Sequence, residues 1–165
     1  MKIAFIVWRF PVLSEAFILN QITGLIDRGH DIHIYPVNGL PKNYTGKVHP
    51  AVEEYKLMER AHFPPTLPEK VFPRLIKGVG LLLKNLPKGS LKTLPFFIPG
   101  KYDVEVTTLK TFYRTASLLQ DGSYDIIHCQ FGTLAPIALA YRDVGIIKGK
   151  LITTFRGIDI SKYVQ

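Results

Sequence analysis

The sequence predicts an α/β domain built on a mainly parallel sheet, because β-favouring apolar runs alternate with helical patterns at both ends of the chain. Residues 3–7 form a continuous apolar run. The apolar residues of segment 17–26 fall at helical spacing, and Ile32, Ile34 and Tyr35 indicate a second short strand that ends at Pro36. Residues 3–36 therefore predict a strand, a helix and a parallel strand, a unit whose crossover is almost always right-handed.

Short-range signals mark both ends of the first helix. Ser14 is a candidate N-cap, and Glu15 places a carboxylate in the first turn, where it suits the helix dipole. Gly29 lies where a C-capping glycine is expected. The helix is therefore predicted to run from about residue 15 to about residue 28.

The same alternation returns near the other end of the chain. Residues 124–129 and 151–155 are predicted strands, and residues 133–142 between them have a helical pattern. Because strand and helix alternate at both ends, we expect both ends to belong to one sheet.

The region from residue 37 to about residue 101 breaks this pattern with many prolines, which regular sheet does not tolerate. The prolines are at positions 41, 50, 64, 65, 68, 73, 87, 95 and 99. We interpret the region as a Pro-rich basic insertion into a single domain of residues 1–165, outside the core scaffold.

Two helices are predicted in the middle of the chain. Apolar residues at helical spacing indicate one over residues 75–86, although Gly78 and Gly80 each weaken it by roughly 1 kcal/mol. The second, over residues 104–119, places its apolar residues on one side. Its predicted apolar side consists of Leu109, Phe112, Tyr113, Ala116 and Leu119.

Composition limits the classes of protein to which the chain can belong. The 165 residues are 47% hydrophobic and 21% charged, as in one ordinary globular domain. Cys129, the single cysteine, excludes an internal disulfide, and no Cys/His cluster has zinc-ligand spacing, so we predict no metal site and a reducing, cytoplasmic location. No apolar run approaches the ~20 residues that cross a bilayer. We therefore expect a protein that is soluble or bound to a membrane face.

Three predicted loops follow strands at the carboxyl edge of the sheet, where open α/β sheets bind their ligands. They span residues 8–15, 128–133 and 156–159. The first lacks Gly-x-Gly-x-x-Gly, which argues against a classical dinucleotide-binding domain. The candidate site residues in the three loops are Arg9, Ser14, Glu15, His128, Gln130, Gly132, Arg156, Gly157 and Asp159.

The candidates in the first two loops also allow purely structural interpretations. Ser14 and Glu15 can simply cap the helix, although the Glu15 carboxylate also suits a hydroxyl-rich ligand. His128 can be a buried structural residue, as isolated histidines often are, or a functional group at the crevice. Gln130, two residues later, shares its side of the strand if the strand continues.

The third loop is equally open to two interpretations. Arg156 can grip a phosphate through its planar fork, and Gly157 permits backbone conformations or a close ligand approach that a side chain would forbid. Alternatively, Arg156 and Asp159 form an ion pair in a surface turn.

Three motifs in these same loops carry a family resemblance. They are Phe10-Pro-Val-Leu-Ser-Glu15 within residues 10–30, Tyr124-Asp-Ile-Ile-His-Cys-Gln-Phe-Gly132, and Phe155-Arg-Gly-Ile-Asp159 within residues 149–161. Together these segments, roughly half of the chain, resemble the amino-terminal domain of family-four retaining glycosyltransferases of the GT-B type. The colanic-acid and exopolysaccharide enzymes are the most similar type.

The resemblance implies a Rossmann-like three-layer domain that binds a glycan or lipid-linked acceptor. The nucleotide-sugar donor is then a co-substrate, no cofactor is needed, and the donor is held mainly by a carboxyl-terminal domain with paired glutamates. That second domain is absent from a chain that stops at Gln165, so we expect this fragment alone to be inactive. The implied catalytic residues are His128, Arg156 and Asp159, and the implied substrate-binding residues are Arg9, Ser14, Glu15, Gln130, Gly132 and Gly157.

Two positions depart from the motifs of the family. Its His-x-His-Phe is here His128-Cys-Gln-Phe131, and its Phe-His-Gly-x-Asp is Phe155-Arg-Gly-Ile-Asp159. In the family the histidine of Phe-His-Gly-x-Asp, which corresponds to Arg156 here, contacts the donor sugar. Arg156 stays protonated and cannot act as a neutral acceptor, so we hypothesise that it stabilises charge on the departing nucleotide diphosphate.

Residues 67–101 are strongly basic. They contain seven basic residues and one acid, Glu69, interleaved with apolar residues. Such a segment can lie on an anionic membrane with its apolar side down, or it can pack on the sheet with a solvated cationic face. The first arrangement would place the protein on the inner face of the membrane.

The net charge leaves a different class of function open. The chain has 21 Lys and Arg against 13 Asp and Glu, a formal net charge of +8, which favours anionic partners in general. A non-catalytic basic α/β module that binds nucleic acid or a protein partner is the alternative. No nucleic-acid-binding motif is visible, and salt-sensitive binding to single-stranded RNA would favour this alternative.

Overall fold

A parallel β-sheet forms the centre of the computed structural model, which describes residues 1–41, 44–97, 110–120, 122–157 and 159. Within these residues the sheet has four strands in the order β2-β1-β3-β4, and all neighbouring pairs are parallel. The strands are β1 (Lys2–Val7), β2 (Asp31–Pro36), β3 (Ser123–Cys129) and β4 (Lys148–Thr153). Helices flank the sheet, and the α/β fold predicted from the sequence is confirmed.

β1 occupies an interior position because its side chains are apolar on both faces. Residues 3–7 are all buried, and β1 pairs with β2 on one side and with β3 on the other. A strand that is apolar on both faces is typical of parallel sheets, whose two faces are covered by helices. The chain therefore leaves β1 toward β2 on one side and reaches β3 on the other, which makes the carboxyl end of β1 a topological switch point.

The first helix, α1 (Ala16–Asp27), follows a 3-10 turn at Leu13–Glu15. The predicted N-cap at Ser14 is wrong, because this residue lies inside the 3-10 turn and Glu15 occupies the N-cap position without a side-chain cap bond. The predicted end is confirmed. Gly29 has a φ of 76°, and its N–H donates to the carbonyl of Ile26 at 2.8 Å.

The helix and the strand that follow β3 agree with their predictions except at their boundaries. A 3-10 turn at Gly132–Leu134 leads into α5 (Ala135–Asp143), and together they cover the predicted helical segment with one more residue at each end. β4 begins earlier than predicted and ends at Thr153, so Thr154 and Phe155 belong to the following loop.

The Pro-rich region contains two α-helices, α2 (Pro50–Glu54) and α3 (Val71–Lys84), within its described part. Its predicted place outside the core is wrong for four described side chains, because Val37, Val52, Leu57 and Phe96 are buried in the main hydrophobic cluster. Apolar burial thus ties the region to the sheet domain.

This region also adds to the outer edge of the sheet. The Ile34 N–H donates to the carbonyl of Arg60 at 2.9 Å, and the His62 N–H donates to the carbonyl of Ile34 at 2.8 Å. These bonds form an isolated parallel bridge between Ile34 and Ala61. The edge of β2 is therefore partly covered, which protects backbone groups that would otherwise be open for pairing.

The helix predicted over residues 104–119 is shorter in its described part. α4 (Lys110–Thr115) is followed by a turn and a 3-10 segment at Leu118–Gln120, while residues 104–109 lie outside the described residues. The hydroxyl of Thr115 donates to the carbonyl of Phe112 at 2.7 Å. The hydroxyl of Ser117 donates to the carbonyl of Arg114 at 3.2 Å. Such local bonds compete with helix continuation. The predicted apolar side is nevertheless buried at Phe112, Tyr113, Ala116 and Leu119.

α3 starts and ends before the predicted boundaries of 75–86. It contains both Gly78 and Gly80, of which only Gly78 is buried. Among the described helices, none is long and apolar enough to span a bilayer.

Candidate functional site

The loops that leave β1, β3 and β4 meet at the switch point of the sheet. The Gln130 N–H donates to the carbonyl of Ile6 at 3.1 Å, which continues the pairing of β3 with β1 beyond the regular strand. The indole N–H of Trp8 donates to the hydroxyl of Thr133 at 3.2 Å. The crevice predicted at this edge is therefore bordered by loops that contact each other directly.

Asp159 joins the loop after β3 to the loop after β4. Its carboxylate is 5% exposed, and Oδ2 accepts the N–H of Gly132 at 2.9 Å and the N–H of Arg156 at 3.0 Å. A buried carboxylate needs such donors, because a charge removed from water is otherwise strongly unfavourable. Asp159 thus fixes the backbone of both loops instead of pairing with Arg156 at the surface.

Gly132 lies where these two loops approach each other closely. A Cβ at this position would lie 2.6 Å from Cε1 of Phe155 and 3.5 Å from Cγ of Asp159. Gly157, the other candidate glycine, differs. Within the described part of the chain, no heavy atom lies within 4 Å of a Cβ built there. Its φ is outside the range that favours glycine, so the predicted need for special backbone freedom is wrong. A close ligand approach at Gly157 stays a prediction.

The Arg156 side chain is held by two kinds of contact. Its Nη2 donates to Oε1 of Gln130 at 2.8 Å, and its Nε donates to the Gln130 carbonyl at 3.3 Å. The guanidinium carbon also lies 3.9 Å from the ring centroid of Phe17, in cation–π geometry. Burial lowers the pKa of Arg156, while the carboxylates of Glu15 and Asp159 oppose this shift.

Gln130 links Arg156 to the first helix. Its side chain is fully buried, and its Nε2 donates to Oε1 of Gln21 on α1 at 3.1 Å. Both ends of the Gln130 amide are therefore used inside the protein. The structure places Gln130 beneath Arg156 as a support, whereas the resemblance implied a direct contact with substrate.

His128 is buried at the end of β3. Its Nε2 lies 2.8 Å from the hydroxyl of Thr154, and its ring packs 5.1 Å from that of Phe5. Burial lowers the pKa of His128, and the charge of Arg156 lowers it further. Because the shift is downward from 6.5, the imidazole is neutral at pH 7.

The three candidate residues of the first loop lie in different surroundings in the structure. Glu15 lies close enough to Arg156 to interact electrostatically: burial raises the pKa of Glu15, and Arg156 opposes that rise. Ser14 is exposed and makes no cap bond. Arg9 is exposed and lines a different cavity. Of the nine predicted residues, the structure brings together Glu15, His128, Gln130, Gly132, Arg156 and Asp159, which we call the Arg156 cluster.

The cavity that Arg9 lines is a cleft of about 710 Å³ next to the carboxyl ends of β1 and β2. Arg9 and Arg114 line it together with Asn38, and the apolar residues Phe63 and Pro64 form part of its wall. We call it the Arg9 cleft. The Arg156 cluster, in contrast, follows β3 and β4, so the two features occupy different sides of the switch point.

Three contact residues of the Arg156 cluster were not singled out from the sequence. Phe17 and Gln21 lie four residues apart on α1 and therefore on one helix face, and both contact the cluster. Thr154 contacts His128. The sequence signal that could have found Phe17 and Gln21 was an aromatic and a polar residue four positions apart, on a helix predicted to start at the carboxyl edge of the sheet.

The cluster presents a fixed positive charge at the carboxyl edge of the sheet, where open α/β sheets in general bind ligands. Among the described residues, no three His, Cys, Asp or Glu side chains are grouped so that they could hold a metal ion. A guanidinium that is positioned in advance can stabilise negative charge that develops on a substrate oxygen.

Comparison with known proteins shows what the chain is similar to. It is 34% identical over 165 residues to WcaL of Salmonella typhimurium, named as a colanic acid biosynthesis glycosyltransferase, with 98% of this chain and 38% of the relative covered. It is 32% identical to the amylovoran biosynthesis glycosyltransferase AmsK of Erwinia amylovora, covering 39% of that protein. WcaL of Escherichia coli is 30% identical, with 38% covered.

Neither a family model nor a solved structure matches the chain. The curated relatives are much longer than the chain, which spans about two fifths of their length. The chain is therefore a homologue, along nearly its whole length, of one part of bacterial exopolysaccharide-biosynthesis glycosyltransferases.

Proposed function

We propose that this chain is the acceptor-side, amino-terminal domain of a retaining GT-B glycosyltransferase in polysaccharide biosynthesis. The complete enzyme would transfer a sugar from a nucleotide-sugar donor to a glycan or lipid-linked acceptor. The observation that carries the proposal is the similarity over 98% of the chain to named glycosyltransferases that are much longer than it. A carboxyl-terminal domain in cis would hold most of the donor, so the chain alone would be inactive.

The fold supports this proposal because it presents its loops at one sheet edge. The Arg156 cluster lies where parallel α/β sheets bind ligands, at the carboxyl ends of the strands next to the switch point. A second domain facing this edge would enclose a substrate between two loop surfaces. Clefts between domains are common ligand sites.

Arg156 is the residue to which we assign the main electrostatic role. In sugar transfer the bond between the anomeric carbon and the donor phosphate oxygen breaks, and negative charge develops on the nucleotide diphosphate. Nε and Nη2 of Arg156 are used by Gln130, but among the described residues no group accepts a hydrogen bond from Nη1. That edge of the guanidinium is available to the leaving group.

The test is Arg156→Ala in the full-length enzyme. We expect kcat to fall by about 10²–10³-fold, the range for removal of one positioned charge-stabilising group. Arg156→Lys should recover only part of this loss, because a lysine lacks the planar fork. Arg142→Ala, at an exposed arginine of α5, is the matched control. An unchanged kcat in a folded Arg156→Ala enzyme would refute the role.

The inactivity of the chain alone has its own test. Transfer of radiolabelled sugar should be undetectable with the isolated chain and present with the full-length protein. Transfer by the isolated chain at a comparable rate would contradict the proposed division between two domains.

We further propose that α3 and its flanking basic residues bind an anionic membrane surface on the cytoplasmic side. The observation that favours this is the exposure of large apolar side chains on α3, which do not pack on the sheet. They are Val71, Phe72, Leu75, Ile76, Val79 and Leu83, all about half or more exposed. Lys70, Lys77 and Lys84 lie on or next to the same helix. Apolar and basic residues together match an anionic lipid interface.

Co-sedimentation with vesicles tests the membrane proposal. We expect binding to vesicles with phosphatidylglycerol at low salt and little binding to pure phosphatidylcholine. Replacing Phe72 and Ile76 by serine should reduce binding at least severalfold, whereas Leu139→Ser, at an exposed leucine of α5, should not. Absence of binding to anionic vesicles at low salt would refute the proposal.

A further inference from the structure

The Arg9 cleft has the dimensions of a small-molecule site. Its volume of about 710 Å³ lies within the range of roughly 300–1,000 Å³ that is typical of ligand pockets. It lies on the β1 and β2 side of the carboxyl edge, because Arg9 follows β1, and Val37, Asn38 and Gly39 follow β2. None of its lining residues belongs to the Arg156 cluster.

The polar side of the cleft is cationic. Arg9 is exposed, and within the described part of the chain it has no hydrogen-bond or ion-pair partner. Arg114 donates from Nη2 to Oδ1 of Asn38 at 2.7 Å, which fixes its head group at the cleft. Among the described residues that line the cleft, none is Asp or Glu. Glu15 lines a separate, smaller hollow that Arg9 also borders.

Much of the rest of the cleft is lined by apolar residues. Leu40, Phe63, Pro64, Pro65 and Leu67 line it. The backbone bonds between Ile34 and residues 60 and 62 hold the start of this wall against β2. Prolines with a fixed φ then limit the movement of the chain that follows. Apolar residues and the side chains of two arginines thus line the same cavity.

We propose that the Arg9 cleft binds an organic phosphate ester. The phosphate group would lie between the guanidiniums of Arg9 and Arg114, whose planar N–H groups match phosphate oxygens. The organic part would pack against Phe63 and the two prolines. The inference does not depend on sugar transfer. The ester has two conceivable sources, a phosphorylated lipid chain or a soluble phosphorylated ring compound, and they share this recognition chemistry.

Isothermal titration calorimetry of the chain with four probes tests the proposal. The probes are octyl phosphate, phenyl phosphate, inorganic phosphate and the neutral amphiphile octyl glucoside. We expect at least one ester to bind tenfold or more tightly than both inorganic phosphate and octyl glucoside. Preference for octyl phosphate indicates a lipid source, and preference for phenyl phosphate indicates a ring compound.

Variants tie that binding to the cleft. Arg9→Gln and Arg114→Gln should each weaken ester binding about tenfold, as expected for loss of one charge-assisted contact. Arg142→Gln removes an equal charge from α5, outside the cleft, and should bind as the unchanged chain does. Arg114→Gln also loses its bond to Asn38, so the exposed Arg9 gives the cleaner measurement.

Three results overturn the proposal. The first is an Arg9→Gln chain, folded by circular dichroism, that binds the ester as tightly as the unchanged chain. The second is an ester that binds no more tightly than inorganic phosphate, since the apolar wall would then contribute nothing. The third is equal binding of octyl glucoside, since the guanidiniums would then be irrelevant.

Discussion

The Arg156 cluster and the Arg9 cleft lie at the same sheet edge but use their arginines in different ways. Arg156 is held by Gln130 and by the ring of Phe17. Arg9 is exposed and has no polar partner within the described residues. One arginine is thus positioned by the protein before any ligand arrives, whereas the other has no such support.

This difference separates two ways in which a domain can present positive charge. A supported guanidinium is costly to disturb, because its neighbours depend on the same hydrogen bonds. An unsupported one contributes little to folding and can be devoted to binding. Mutations in the cluster should therefore change stability, while mutations of Arg9 should change binding alone.

The largest stability effect should come from Asp159→Ala. The substitution leaves the N–H groups of Gly132 and Arg156 without their carboxylate acceptor. We expect the free energy of unfolding to fall by about 2–4 kcal/mol, measured by urea denaturation. Asp143→Ala, at an exposed aspartate on α5, should change it by less than about 0.5 kcal/mol. Equal effects of the two substitutions would show that Asp159 does not anchor the loops.

A matched glycine pair should give the next effect. Gly132→Ala forces a Cβ against the ring of Phe155, whereas Gly157→Ala meets open space. We expect Gly132→Ala to cost about 1–2 kcal/mol, because the new Cβ forces the ring of Phe155 to move, and Gly157→Ala to cost less than about 0.5 kcal/mol. Thermal unfolding of both variants checks this. In a Phe155→Ala background the Gly132→Ala cost should largely disappear; if it persists, the ring is not its cause.

The contact between Arg156 and Gln130 should give a smaller, pairwise effect. A double-mutant cycle with Arg156→Ala and Gln130→Leu should yield a coupling free energy of about 1 kcal/mol. Leucine keeps most of the buried volume of Gln130 and removes its side-chain hydrogen bonds, while the backbone carbonyl can still accept from Nε of Arg156. Additive effects in urea denaturation would mean that the two side chains act independently. Coupling of this size would show that the two side chains act as one contact.

The smallest stability effect should come from Arg9→Ala. Because Arg9 is exposed and unpaired within the described residues, its loss should alter the free energy of unfolding by less than about 0.5 kcal/mol. The same urea denaturation serves as the measurement. A loss comparable to that of Asp159→Ala would remove the contrast between the cluster and the cleft.

Local sequence patterns predicted the sheet well because burial on both faces leaves a clear signature. The apolar run at residues 3–7 became β1, and Gly29 ended α1 as expected. The wrong predictions concern the ends of helices, where competing hydrogen bonds decide at which residue a helix begins or ends. Nothing in the pattern around Ser14 distinguishes an N-cap from a 3-10 turn. The hydroxyls of Thr115 and Ser117, which bond to nearby carbonyls where α4 ends, are weak signals in a helical pattern.

The candidate site was predictable as a set of loops but not as a set of contacts. The topology of parallel strands brings residues 128–133 and 156–159 to one edge, and this could be inferred from alternating strands and helices. The contact of Arg156 with Phe17 joins residues far apart in sequence, so no local spacing reveals it. Arg9 and Glu15 were grouped in one loop, yet only Glu15 interacts with Arg156.

The hydrogen bond between Trp8 and Thr133 gives the protein an internal optical probe. Trp8 is the single tryptophan of the sequence, it immediately precedes Arg9, and its indole contacts the turn whose first residue donates to Asp159. Indole emission shifts with the polarity and hydrogen bonding of its surroundings. Ligand entry into the cleft and loosening of the Asp159 anchor should therefore each change the fluorescence of one unlabelled residue, so that both sides of the switch point can be followed in a single cuvette.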